Sequence, residues 1–141
     1  MPGHHEGRER TERSGCMRYR IELTEEQARI MKKAMEEFFR LRMGQDFDFS
    51  DDMACLQSGF PTKEPAFSKM LARRDHMREL MRAFFAIAFE PKGYLEKKTD
   101  EMLVAEDIWE AIRYARGEGR YESPLHVGPE PFPRVEKVGK K

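Results

Sequence analysis

The chain has 141 residues, enough for one domain with a modest core. Its 26 basic and 26 acidic side chains cancel, so no net field draws it to DNA or to an anionic membrane. No apolar run approaches the roughly 18 to 20 residues of a membrane helix, and the N-terminus has no signal-peptide core.

Residues 1–16 hold almost nothing but charge, His, Gly, Ser and Thr. Such a stretch buries too little surface to offset its ordering entropy and reads as a disordered leader. His4 and His5 alone make a poor metal site, so no metal is expected. Met17 to Leu23 alternates, with Tyr19, Ile21 and Leu23 on one side and Arg18, Arg20 and Glu22 on the other. That period predicts a short strand with one buried face.

Thr24-Glu25-Glu26-Gln27 is a capping box and starts a helix. Ala28, Met31, Ala34, Met35, Phe38 and Leu41 form its apolar face, and Gly44 stops it. Gln45 to Lys63 reads as a loop with one helical turn near Asp52 to Gln57. Pro65 opens a second helix that runs toward Phe89, either unbroken or interrupted near Arg73 to Asp75, and Pro91 and Gly93 close it.

The third helix, Thr99 to Gly117, is the best defined. Thr99 or Asp100 caps it, and Leu103, Val104, Ile108, Ala111, Ile112 and Ala115 recur at three- and four-residue steps. Met102, Glu106, Trp109, Arg113 and Arg116 line an adjacent flank, where flat aromatic area lies beside guanidinium forks. The same residues also describe a half-buried tryptophan beside ordinary C-terminal arginines. Asp107 sits at the edge of the apolar stripe, so its carboxylate needs a partner: an arginine of the fold or a ligand hydroxyl. Arg120 to Val127 then predicts a second strand cut short by Pro124, and the tail from Gly128 is Pro-rich and extended.

The fold class expected is therefore α+β and predominantly helical, with about three helices and a small antiparallel sheet from strands near the two chain ends. Its domains are a leader (1–16), a single domain (17–127) and a tail (128–141). The chain has no HExxH, GxSxG, Walker-type or GxGxxG motif, and no cofactor or enzymatic activity is expected. Cys55 and His76 have no spacing that marks a nucleophile and its base. Cys16 and Cys55 lack CxxC spacing and read as free thiols of a cytosolic protein, a disulfide being the lesser alternative.

Three blocks resemble a known family. AMEEFFRLRMGQDFDF carries an aromatic-rich helix, an arginine at Arg40 and an M-G-Q turn at Met43, Gly44 and Gln45. LVAEDIWEAIRYA matches a V-A-aromatic-D-I-aromatic helix followed by I-R, through Val104, Ala105, Asp107, Ile108, Trp109, Ile112 and Arg113. RYESPL followed by GPEPFPRVEKV is similar to a closing aspartate-Pro-Leu strand and an acid-proline tail. In this order, over about a third of the chain, they resemble the first type of phage Thoeris anti-defence protein. An N-A-S-Y-G-I segment of that family is only faintly echoed by Lys92-Gly93-Tyr94-Leu95, without the Asn.

The resemblance implies a non-catalytic sponge in the cytoplasm of the infected bacterium. Such a protein sequesters cyclic ADP-ribose isomers, and in some members cyclic oligonucleotides, without cleaving them. It also implies a homo-oligomer, a dimer or a multiple such as a hexamer. On that reading Arg40, Arg113 and Arg116 fork onto phosphate oxygens, and Trp109, Phe85 or Tyr94 stacks on adenine. Asp107 then accepts from ribose hydroxyls or orients an arginine. The alternative of a different class is a small phage interaction module that binds a host protein through Met- and Phe-rich surface.

Overall fold

The computed structural model describes residues 17–46, 48–119 and 125–139. Four helices follow in order: α1 (Glu25–Arg42), α2 (Phe49–Ala54), α3 (Ala66–Ala88) and α4 (Asp100–Ala115). Two packed pairs account for them, α1 against α4 and α2 against α3. Among the described residues none of these helices is long and apolar enough to cross a membrane.

The ends of α1 and α4 follow from their sequences. Thr24 Oγ1 accepts from the Gln27 N–H at 3.2 Å while the Gln27 side chain accepts from the Thr24 N–H at 3.0 Å, closing the capping box. Thr99 caps α4 by accepting from the Met102 N–H at 3.3 Å. Gly44 and Gly117 both take positive φ, 80° and 76°, as a left-handed stop requires. Beyond them the Gln45 N–H donates to the Arg40 carbonyl and the Glu118 N–H to the Arg113 carbonyl, each at 2.9 Å. Arg40 and Arg113 thus occupy equivalent places in two matching helix ends.

The core lies between α1 and α4. Phe39 packs against Met102 and Ala105, with Met35, Phe38, Met43, Leu95 and Trp109 around them. Lys32 reaches Glu118 at 2.8 Å and Arg116 reaches Glu25 at 3.0 Å, so the end of α4 lies beside the start of α1 and the pair is antiparallel. On its other side α4 is covered by the C-terminal segment. Gly128 sits so close that an added Cβ would fall 2.5 Å from Asp107 Oδ2 and 3.1 Å from the Leu103 carbonyl oxygen.

The expected sheet is not there: among the described residues the fold is all-helical, with no strand. Residues 17–23 form no ladder, and Met17, Tyr19 and Ile21 are 63%, 90% and 69% exposed. Alternation predicts a strand only where a second surface covers one side of it; Tyr19 and Ile21 lie open, and of the expected buried face only Leu23, next to the start of α1, is half-buried. The partner strand falls largely on residues 120–124, outside the described residues. Its remainder, 125–127, is drawn to α4 by Asp107 instead. The leader 1–16 also lies outside the described residues, and 128–139 carries neither helix nor strand.

One helical detail differs from expectation, and one that the sequence left open is decided. The turn placed near Asp52 to Gln57 is a six-residue helix that begins earlier, at Phe49. Its buried Ser50 donates to Asp46, which also accepts from the Ser50 backbone N–H at 3.1 Å and so fixes the entry to the helix. α3 runs unbroken through Arg73 to Asp75. There Arg74 pairs with Asp75 at 3.1 Å and with Asp51 of α2 at 3.5 Å.

Candidate functional site

A cleft of about 230 Å³ opens along α1 where Trp109 and Arg113 of α4 and the side chains of Gln45, Asp46, Asp48 and Phe49 approach it. Three of the seven site residues expected from sequence meet there: Arg40, Trp109 and Arg113. Trp109 is half-buried, its ring edge-on to Phe39 with centroids 5.5 Å apart. The Arg113 guanidinium lies 4.5 Å from the Trp109 ring centroid and that of Arg40 lies 5.9 Å away. Both distances are within the range of cation–π attraction. The indole is therefore a platform that places two guanidiniums, and its contact with Arg113 competes with any base that would stack on it.

The arginines are held by further polar contacts. Arg113 donates to Glu110 at 2.8 Å, one turn back on the same helix, and not to Asp107. Arg40 donates to the Gln45 side chain at 2.9 Å and lies 3.8 Å from Glu36. Gln45 comes directly after the glycine that ends α1, so the M-G-Q turn aims one of its own side chains at the arginine.

Three further cations line the cleft: Arg29, Lys32 and Lys33. With Glu36, Glu37 and Arg40 they follow the three- and four-residue steps of one helical face. Sequence reasoning passed over this charged stripe because only the apolar face of α1 was traced. Each cation has an acid beside it: Arg29 has Glu26 at 2.7 Å, Lys32 has Glu118 at 2.8 Å and Lys33 has Asp52 at 2.6 Å. The Lys33–Asp52 contact raises the ammonium pKa, and the hydrogen bond from Lys32 holds the Glu118 carboxyl below the usual range. Glu37 goes the other way. Burial raises its pKa, Lys33 opposes that, and the nearby Asp52 and Glu36 charges add to it. An incoming phosphate has several donors to choose from and must exchange places with carboxylates to reach them.

The other four expected residues lie elsewhere. Asp107 is only 2% exposed and faces the C-terminal segment. Its Oδ1 accepts from the Val127 N–H at 2.8 Å, while its Oδ2 accepts from the Gly128 N–H at 2.9 Å and lies 3.0 Å from His126 Nδ1. The partner that its position demanded is thus main chain and imidazole, and the carboxylate anchors the tail. Arg116 pairs with Glu25 and Glu118 at the far end of α4. Phe85 stacks on Phe89 with centroids 6.0 Å apart, and Tyr94 is exposed in the loop after α3.

Among the described residues no group of three His, Cys, Asp or Glu side chains is placed to hold a metal ion. Comparison with models of protein families, with curated proteins and with solved structures finds no match to this chain.

Proposed function

We propose that the cleft between α1 and α4 binds a phosphate-bearing nucleotide of the cyclic ADP-ribose type and holds it without cleaving it. The protein would then act as an anti-defence sponge in the bacterial cytoplasm. The observation that carries this reading is the convergence of Arg40 and Arg113 on Trp109, joined by Arg29, Lys32 and Lys33 across one opening. Guanidinium forks match phosphate oxygens two at a time, and the acids on the same walls can accept from ribose hydroxyls or an adenine amino group.

The volume sets a further condition. Pockets that enclose a small-molecule ligand run to about 300–1,000 Å³. This cleft falls below that range, so it takes a pyrophosphate and one ring, and a second protomer is left to cover the remainder. Sequestration at nanomolar levels needs about −12 kcal/mol, which one open, charge-balanced wall does not supply.

The test is to mix the purified protein with each cyclic ADP-ribose isomer, remove free ligand by filtration and release the bound fraction by heat. Recovery of the intact ligand supports a sponge. Recovery of a linear product makes the protein an enzyme, and no uptake at micromolar concentration overturns the proposal in favour of a protein-binding module.

A further inference from the structure

We propose that Asp52 of α2 is an internal competitor for the phosphate of the ligand: it holds the Lys33 ammonium and must release it when an anion enters the cleft. The contact is autoinhibitory. It rests on the cleft being a phosphate site, as proposed above, and names the acid that limits binding there.

The first ground is where the two partners come from. Lys33 lines the cleft from α1, while Asp52 reaches it at 2.6 Å from α2, a helix of the other packed pair. The acids beside the other cations give way more easily. Glu26 and Glu110 sit three residues from Arg29 and Arg113 on the same helices, and the strongly exposed Glu26 can turn into water on its longer side chain. Glu118 keeps Arg116 at 3.6 Å if Lys32 leaves it.

Asp52 has less freedom. Its side chain is one methylene shorter, and its helix is fixed on both sides of it. Ser50 donates to Asp46, and Asp51 lies 3.5 Å from Arg74 and 3.4 Å from Arg78 of α3. The Oδ2 atom that faces Lys33 is shielded from water, which strengthens its attraction for the ammonium. The carboxylate therefore cannot withdraw unless α2 moves with it.

The second ground is the chemistry of the exchange. An ammonium is a compact point charge with three donors, and it takes carboxylate or phosphate oxygens alike. Both side chains of the pair are part-exposed, so a second anion can approach Lys33. A pyrophosphate seated on Arg40 and Arg113 brings more charge and more oxygens than Asp52, and Lys33 passes to it. That transfer also cuts an ion pair between α1 and α2, so binding loosens one tie between the two helix pairs.

Titration calorimetry of the full chain with inorganic pyrophosphate at fixed ionic strength tests this. Asp52→Asn should tighten binding about tenfold, the scale of one charged hydrogen bond gained. Glu37, one turn along α1, still lies beside Lys33 and keeps the gain from growing further. With Lys33→Ala also present, the same substitution should gain less than about threefold, since only the field of the lost charge then acts. Unchanged or weaker binding by Asp52→Asn overturns the proposal. So does an equal gain with and without Lys33, or a chain that takes up no pyrophosphate in any of these forms. If Asp52→Asn fails to fold, the carboxyl carbon resonance of Asp52 in the wild-type chain decides: it should move as pyrophosphate saturates the cleft, and a fixed resonance overturns the proposal. Pyrophosphate binding with the expected gain, but no uptake of a cyclic ADP-ribose isomer, supports the competitor and removes only the nucleotide reading.

Discussion

α4 and α3 carry similar apolar patterns but meet different surroundings. α4, with 16 residues, buries Met102, Ala105, Asp107, Ala111 and Ile112, because α1 covers one side and the C-terminal segment another. α3 is seven residues longer and buries only Met70 and Phe85. Hydrophobic spacing specifies which face of a helix seeks cover. It does not specify whether the same chain supplies that cover, and in α3 most of the C-terminal half goes without.

The sharpest way to break this contrast is to cut an apolar side chain from each helix. Met102→Ala, in the core with Phe39, should cost about 2–5 kcal/mol, because the cavity adds to the lost transfer energy. Leu80→Ala on α3 should change the stability of the protein by less than ~0.5 kcal/mol, as exposed positions do. Urea unfolding of both variants at low concentration is the measurement, and equal losses would refute the contrast.

Arginines sharpen it at the cleft. Arg113→Ala removes a donor held against Trp109 and should weaken cyclic ADP-ribose binding by about 1.5–3 kcal/mol, tenfold to over a hundredfold. Its cost to stability should be nearer ~1 kcal/mol, the scale of a part-exposed ion pair and cation–π contact. Arg82→Ala on the outer side of α3 should change neither quantity. Calorimetric titration and melting on the same samples separate the two effects. A binding loss that only tracks unfolding would remove Arg113 from the site.

How far the sequence foretold these regions depended on the kind of partner each residue needed. Local partners were legible. The capping box at Thr24 and Gln27, the cap at Thr99 and the stops at Gly44 and Gly117 involve residues a few positions apart, and each formed as read. Distant partners were legible only as a need. Asp107 stood where a carboxylate requires a partner, but no spacing could name two backbone amides and an imidazole 19 to 21 residues away. The strand at Met17 to Leu23 failed for the same reason, since its alternation could not say what would cover it. Within the cleft, Arg29, Lys32 and Lys33 stand in a regular helical period that a reading of the apolar face alone misses, while the approach of Gln45, Asp46, Asp48 and Phe49 depended on how the chain turns after Gly44.

The second cover of α4 can be lifted on its own. Gly128→Ala places a methyl carbon 2.5 Å from Asp107 Oδ2, with the main chain of Leu103 behind it. The tail must move, and the hydrogen bonds from Val127 and Gly128 to the carboxylate lengthen or break. A loss of about 1.5 kcal/mol is expected, the lower end for hydrogen bonds to a charged group, because water can partly replace them. A thermal melt unchanged by this substitution would mean that the tail adds nothing to α4.

The smallest effect concerns the joint between the two helix pairs. Lys33 of α1 reaches Asp52 of α2 at 2.6 Å, and Glu37, one turn along α1, adds a second carboxylate beside that contact. Burial comes first among the causes that raise the Glu37 pKa, with Asp52 and Glu36 adding repulsion that Lys33 only partly offsets. A carboxyl whose folded pKa exceeds its ordinary value of 4.5 binds its proton more tightly in the folded state. Its ionisation therefore opposes folding fully above the folded pKa. That penalty fades as pH falls through the folded pKa and is gone below the ordinary value. Glu37→Gln keeps the shape without the charge, so it should stabilise the protein at pH 7 by no more than ~0.5 kcal/mol. The gain should shrink steadily on acidification and vanish near pH 4, where the wild-type side chain is itself protonated. Urea unfolding of both proteins across that range reads the difference directly. A gain that stays constant with pH would place its origin outside the charge, and a loss at pH 7 would mean that Glu37 serves Lys33 as a counter-ion in place of burdening Asp52.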